Sequence, residues 1–154
     1  MIEYCFATEE PHYQAAVELF KEYAASLHID LGFQHFDEEI KVLGSMYGPP
    51  AGGIILAKAS QQYIACVGIR CFEETVAELK RMYVQPAWQH QGIGAALLRQ
   101  ALTLARTLGY KKIYLDTLNS MQPAMQLYEK YGFRQIPAYY HNPNATAVYY
   151  EREI

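Results

Sequence analysis

Residues Gln89 to Gly94 read Gln-His-Gln-Gly-Ile-Gly, and they stand between an apolar run containing Leu79, Met82 and Val84 and a long amphipathic run that starts at Ile93. Ile93, Leu97, Ala101, Leu104 and Leu108 recur at helical spacing, and Gly109 follows as a stop. Ile113 to Thr117 then returns to strand-like residues. A strand, a helix and a second strand in the same sheet close with the two strands parallel, so this one stretch commits the chain to a sheet with a parallel pair. Glycines at the junction also aim several backbone N–H groups, and the positive end of the helix dipole, at one point. That point suits a phosphate or pyrophosphate. Taken locally, the same glycines would equally serve a tight turn and close helix packing.

The remaining elements follow from periodicity and turn chemistry. Ile2 to Phe6 reads as a strand. Pro11 opens a helix over about 10–27, with Ala15, Ala16, Leu19, Phe20, Tyr23, Ala24 and Leu27 on its apolar face. Leu31 to Phe36 is irregular, and Asp37 is placed to cap a short helix through Leu43. The Gly48–Gly53 stretch breaks that helix. Ile54 to Ala59, Tyr63 to Cys71 and Thr75 to Val84 read as an antiparallel meander, ended by Pro86. A second helix covers Pro123 to Tyr131 and stops at Gly132. Phe133 to Ile136 and Thr146 to Arg152 form a long hairpin around Asn142-Pro143-Asn144. The expectation is a single α+β domain over residues 1–154, a mixed and mostly antiparallel sheet with helices on both faces in three layers.

Composition narrows the partners. The net charge is −3 and the pI about 5.9, which speaks against a nucleic-acid backbone, whose binders carry a basic face. No apolar run approaches the roughly 18–20 residues of a membrane span. The start, Met1-Ile2-Glu3-Tyr4, does not read as a secretory signal. Cys5, Cys66 and Cys71 have no metal spacing and cannot all pair within the chain, so reduced thiols in a cytoplasmic protein are expected. His12, His28, His35 and His141 show no zinc spacing, and no metal is expected. The glycine turn lacks the Lys-Ser/Thr of a P-loop, and a single strand–helix–strand unit without a full G-x-G-x-x-G disfavours a dinucleotide. No G-x-S-x-G elbow appears, so transfer without an acyl-enzyme is expected.

Leu79 to Leu98, LKRMYVQPAWQHQGIGAALL, resembles motif A of the GCN5-related N-acetyltransferase (GNAT) superfamily, whose Q/R-x-x-G-x-G/A signature is filled by Gln89, Gly92 and Gly94. Ala124 to Phe133, AMQLYEKYGF, resembles its motif B. The resemblance is strong over 75–136 and only compatible over the first 50 residues. It implies the acyl-CoA N-acyltransferase fold and acetyl-coenzyme A as donor to a primary amine. In that reading the backbone from Gln89 through His90, Gln91, Gly92, Ile93 and Gly94 to Ala95 cradles the pyrophosphate. Met82, Tyr83 and Val84 offer backbone groups to the pantetheine arm, if the sheet is splayed there. Ala124 belongs to the same site. Where many members carry an asparagine contacting the coenzyme, this chain has Met121, with Asn119 two positions earlier as a substitute or a plain turn residue. His90 replaces a common glycine.

The resemblance also implies roles in the chemistry. Tyr128 would assist departure of the coenzyme thiolate and contact the coenzyme; otherwise it packs beside the core. Glu78, on the strand that leads to Val84, would serve as base; otherwise it pairs with Lys80 or Arg70, and a water chain is the other route for the proton. Acceptor pockets of the superfamily suggest Leu27 to Phe36 and Pro137 to Thr146 for the amine, with Phe33, His35, Tyr139 and Tyr140 as lining and Asp30, Asp37 and Glu38 as negative charge. A homodimer through the final strands is compatible. Rival readings are an acyl-coenzyme A sensor without turnover and a regulator that binds a nucleotide phosphate. The acceptor amine and the length of the acyl chain stay open.

Overall fold

A computed structural model describes the whole chain, the side chain of Phe33 excepted. One seven-stranded sheet runs through it in the order β1-β2-β3-β4-β5-β7-β6. Its strands are β1 (Ile2–Phe6), β2 (Gly53–Ala59), β3 (Gln62–Glu73), β4 (Val76–Val84), β5 (Lys112–Leu118), β6 (Arg134–Ile136) and β7 (Ala147–Glu153). The helices are α1 (Glu10–Leu27), α2 (Phe36–Lys41), α3 (Leu43–Met46), α4 (Ile93–Thr107) and α5 (Gln122–Lys130). All neighbouring strands are antiparallel except β4 and β5, as the strand–helix–strand unit requires.

The period of two along β2 divides the core. Ile55 and Ala57 face one cluster with Leu97, Leu98, Ala101, Ala105 and Tyr128, from α4 and α5. Ile54 and Leu56 face a second with Ala16, Leu19, Phe20, Leu43 and Tyr47, from α1 and α3 with the residue that follows it. The sheet therefore lies between two helical layers. The buried stripe of α4 continues through Leu102 and Ala105, while Leu104 and Leu108 are only partly covered. The helix sits slightly rotated from the stripe expected on spacing, with Leu104 against Gly53.

Asp37 does not cap a helix. His35 holds the N-cap position of α2 in the left-handed region, and Asp37 lies inside the first turn, where its charge complements the dipole. The segment to Gly48 also holds two short helices rather than one, with Val42 as the break. Gly109 and Gly132 terminate α4 and α5 at φ +92 and +88, conformations that glycine adopts without strain.

Strands β4 and β5 pair only at Val76 to Glu78, and beyond Glu78 they diverge. On its other edge β4 stays with β3, but the register slips: Cys66 opposes Tyr83, whereas Gly68 opposes Lys80. The extra residue on β4 forms a bulge, and Arg81 there adopts φ +58. The bulge bends β4 away from β5. The wedge that opens between them is the candidate site.

Candidate active site

Two spaces occupy the wedge and meet at Met82. The larger, about 380 Å³, is lined by Met82, Tyr83, Val84, Trp88, Gln89, His90, Gly92, Ile93, Gly94, Ala95, Met121, Pro123, Ala124 and Leu127. Its floor is the start of α4. None of the backbone N–H groups from His90 to Ala95 finds an acceptor among the described residues; the first helical bond is Ala96 N–H to the Gly92 carbonyl. His90 and Gly92 both have positive φ, at 66 and 83. Residues alternating into the left-handed region turn successive N–H groups inward, a concavity that binds anions, and the α4 dipole adds to it. A Cβ on Gly92 would meet nothing within 4 Å, so the backbone angle, and not crowding, calls for glycine here. A Cβ on Gly94 would only touch Leu127, at 3.6 Å. Gln89 braces the rim: its Nε2 donates to the Val84 carbonyl at 2.9 Å. The edge of β4 that faces β5 makes no ladder beyond Glu78, so, apart from the Val84 carbonyl taken by Gln89, that edge near Met82 and Tyr83 is open to an extended amide-bearing chain.

The smaller space, about 30 Å³, is lined in part by Leu27, Leu31, Gln34, Lys80, Arg81, Asp116, Thr117, Tyr128 and Asn142. Tyr128 is 5% exposed. Its ring packs on Phe133 and Tyr150. Its hydroxyl takes no hydrogen-bond partner among the described residues, although it lines the chamber. Burial pushes this phenol well above its ordinary value, with the nearby acidic groups adding to the effect, so it holds its proton through the neutral range.

A polar network walls the chamber. The Arg81 guanidinium grips Glu39 through Nε and Nη2, at 3.0 and 2.9 Å, and the Tyr47 hydroxyl donates to the same carboxylate at 2.9 Å. Burial alone would raise the Glu39 carboxyl, but Arg81 and Tyr47 outweigh it and hold the group below its ordinary value. Arg81 Nη1 and Lys80 Nζ both donate to Gln34 Oε1, at 2.7 and 3.2 Å. In a regular strand these neighbours would point to opposite faces; the bulge turns both into one chamber. The Gln34 Nε2 donates in turn to Asp116 and to the Tyr140 hydroxyl, and that hydroxyl donates to Asp116 Oδ2 at 2.7 Å. Burial pulls the Lys80 ammonium below its ordinary value despite Glu78 and Asp116 nearby.

The residues expected from sequence divide accordingly. Met82, Tyr83, Val84, Gln89, His90, Gly92, Ile93, Gly94, Ala95 and Ala124 all line the larger space. Gln91 does not line it, although its N–H belongs to the run without acceptors. Asn119 does not reach it: its N–H donates to the Thr146 carbonyl, it sits in the turn after β5, and Met121 fills the wall instead. Tyr128 lines the smaller space, not the larger. Glu78 is 2% exposed and lines neither. Arg70 binds its Oε1 through Nε and Nη2, at 3.0 and 2.9 Å, and Tyr139 donates to its Oε2 at 2.6 Å. The pairing with Arg70 weighed for it is present, but buried rather than on the surface.

Both acceptor segments do wall the chamber, through Leu27, Ile29, Leu31, Gln34 and Asn142. The side chains expected there serve differently. Tyr139 and Tyr140 tie down Glu78 and Asp116, His35 is exposed at the α2 start, and the Phe33 side chain lies outside the described residues. Lys80, Arg81, Asp116 and Gln34 were not anticipated. One signal was available: consecutive cations at Lys80-Arg81 in a central strand cannot both face water when alternate residues face opposite sides.

Comparison with known proteins shows similarity in sequence and in fold. Residues 9–133 match the model of the acetyltransferase (GNAT) family. An uncharacterized N-acetyltransferase of Schizosaccharomyces pombe is 34% identical over 138 residues, spanning 88% of this chain and 85% of that protein. An acetyltransferase from Streptococcus agalactiae superposes with a TM-score of 0.81 at 20% identity, covering 99% of this chain and 98% of the other. A GNAT family acetyltransferase from Elizabethkingia anophelis, solved with acetyl-CoA bound, superposes with a TM-score of 0.68 at 24% identity, covering 99% and 98%.

Proposed function

The chain belongs to the GNAT acetyltransferase family and is an acyl-CoA-dependent N-acyltransferase, and from that premise we propose that it moves an acetyl group from acetyl-coenzyme A to a primary amine by direct attack. The observation that carries the reading is the run of unpaired N–H groups from His90 to Ala95 at the open end of the wedge. A nest of this kind fits a diphosphate, and the free edge of β4 fits the amide-bearing arm above it. The relative from Elizabethkingia anophelis, with acetyl-CoA bound in the same fold, supports the choice of donor.

When bound, acetyl-coenzyme A supplies the acetyl carbon as a thioester and leaves as a thiol. The residues of this chain provide the rest. His90 to Ala95 hold the diphosphate through N–H groups and need no side chain for it. Met82 to Val84 order the arm, so that its reactive end points toward the junction with the smaller chamber. At that junction Tyr128 keeps a proton on Oη, unengaged by the described residues, and donates it to the departing sulfur as the N–C bond forms and the C–S bond breaks. The ammonium gives one proton to a carboxylate before it attacks, and the second, shed by the nitrogen as the amide forms, restores the Tyr128 hydroxyl. Asp116 is the carboxylate that lines the chamber, so this role falls to it. Glu78, fixed by Arg70 and Tyr139, positions Lys80 and Tyr139 instead of meeting the amine.

The test is release of free coenzyme from acetyl-coenzyme A with a panel of amines. Release that depends on an amine supports the reading. Tight coenzyme binding with no release on any amine would make the protein a sensor.

A further inference from the structure

Lys80 is 4% exposed, yet among the described residues its ammonium makes one hydrogen bond, to Gln34 at 3.2 Å. Its contacts with Glu78 and Asp116, at 3.9 and 3.7 Å, are ion pairs too long to be hydrogen bonds. Two of its three donors are therefore unspent in a place where desolvation is costly. Asp116 shows the converse. Its Oδ2 accepts from Tyr140 and Gln34, while Oδ1, which faces Lys80, accepts nothing from the described residues. The neighbouring charges are already matched: Arg81 is spent on Glu39, and Glu78 on Arg70 and Tyr139. The chamber thus presents one incomplete cation and one incomplete anion side by side.

Resting on the acyl-transfer reading above, we infer that the acceptor is a zwitterion, an amine with a carboxylate on the adjacent carbon, whose ammonium meets Asp116 Oδ1 and whose carboxylate meets Lys80 Nζ. The space agrees with such a head group. About 30 Å³ holds roughly two water-sized groups, one for the ammonium and one for a carboxylate oxygen. A dicationic or neutral amine leaves Lys80 unanswered. Burial already works against the Lys80 charge, and a bound carboxylate would restore it. Lys80 is accordingly a specificity residue, and its substitution changes which amines are taken more than how fast the acyl group moves.

The experiment compares α-amino acids with their primary amides as acceptors, reading coenzyme release from acetyl-coenzyme A in wild type, Lys80→Met and Lys80→Arg, with coenzyme binding measured calorimetrically to verify that each variant is folded. In wild type, kcat/KM for an acid should exceed that for its amide by roughly tenfold or more, the worth of a charge-assisted contact. Lys80→Met should bring the ratio of kcat/KM for acid over amide close to one, mainly through the KM of the acid, and Lys80→Arg should keep part of the preference. Equal use of acids and amides by wild type, or an equal loss on both in Lys80→Met, overturns the inference and leaves acyl transfer standing. Release with other amines but with neither acids nor amides overturns the inference alone; no release with any amine overturns both.

Discussion

Replacing Tyr128 by phenylalanine removes a single oxygen from a ring that is 5% exposed and packed between Phe133 and Tyr150. That oxygen spends no hydrogen bond within the described residues, so its loss strands no partner and the fold should change by less than about 0.5 kcal/mol. Coenzyme affinity should change little, because the diphosphate contacts lie at the other end of the wedge. Turnover should suffer. Donation of a proton to a leaving thiolate is worth about 10–1000-fold, or roughly 1.4–4 kcal/mol of the barrier. The assay is release of free thiol under saturating acetyl-coenzyme A, across the neutral pH range, beside calorimetric binding and thermal unfolding of the same variant. Burial keeps the wild-type phenol protonated, so the wild-type profile should show no falling limb from Tyr128 through that range. A Tyr128→Phe variant turning over at the wild-type rate at every pH would remove the hydroxyl from the mechanism.

At the nest, Gly92→Ala should cost about 1 kcal/mol of stability from the left-handed angle, φ +83, with coenzyme binding retained, since its Cβ enters open space. Gly92→Asp carries the same strain and adds a carboxylate. At about 5 Å and a surface-like dielectric it should repel a phosphate by about 1–3 kcal/mol, weakening binding roughly 10–100-fold by calorimetry; equal affinity in both variants would put the diphosphate elsewhere. Glu39→Ala strands the Arg81 guanidinium and should destabilise the fold by roughly 3–5 kcal/mol, read as a fall in Tm. The Glu39 carboxyl titrates below its ordinary value of 4.5, so its contribution is present above that pH and is lost as pH falls through the lower folded value. The gap in stability between wild type and Glu39→Ala should therefore be constant near neutrality and close in acid; a gap that persists undiminished far into acid would mean that Arg81 does not depend on the charge.

How far the sequence led depended on the range of each interaction. Strand–turn–helix alternation, glycine stops and the parallel pair are set within a few residues, and the element order followed from them. The nest was readable because its N–H groups belong to consecutive residues, His90 to Ala95, and their exposure follows from the helix start alone. The bulge at Arg81 was not readable, because it exists only as a mismatch of register against β3. Nor was the chamber, whose partners meet across long stretches of chain: Gln34 reaches Lys80, Arg81, Asp116 and Tyr140 from a loop that composition marks only as irregular. Asp37 as a cap failed for a related reason, since the αL turn at His35 set where the helix begins. Glu78 is legible in the sequence as charged and central on β4, but its burial and its Arg70 partner became visible only once β3 lay beside it.

Amide hydrogen exchange in the presence of coenzyme A tests the central claim most directly, because the N–H groups from His90 to Ala95 donate to none of the described residues in the free chain. Saturation with coenzyme A should slow exchange at these amides by at least about tenfold, the scale expected when an open amide gains a partner, and at the β4 amides near Tyr83 to a lesser degree, while the edge strand β6 stays as it was. Saturated protein in which His90 to Ala95 exchange as fast as before, with protection appearing in some other segment, would contradict the account.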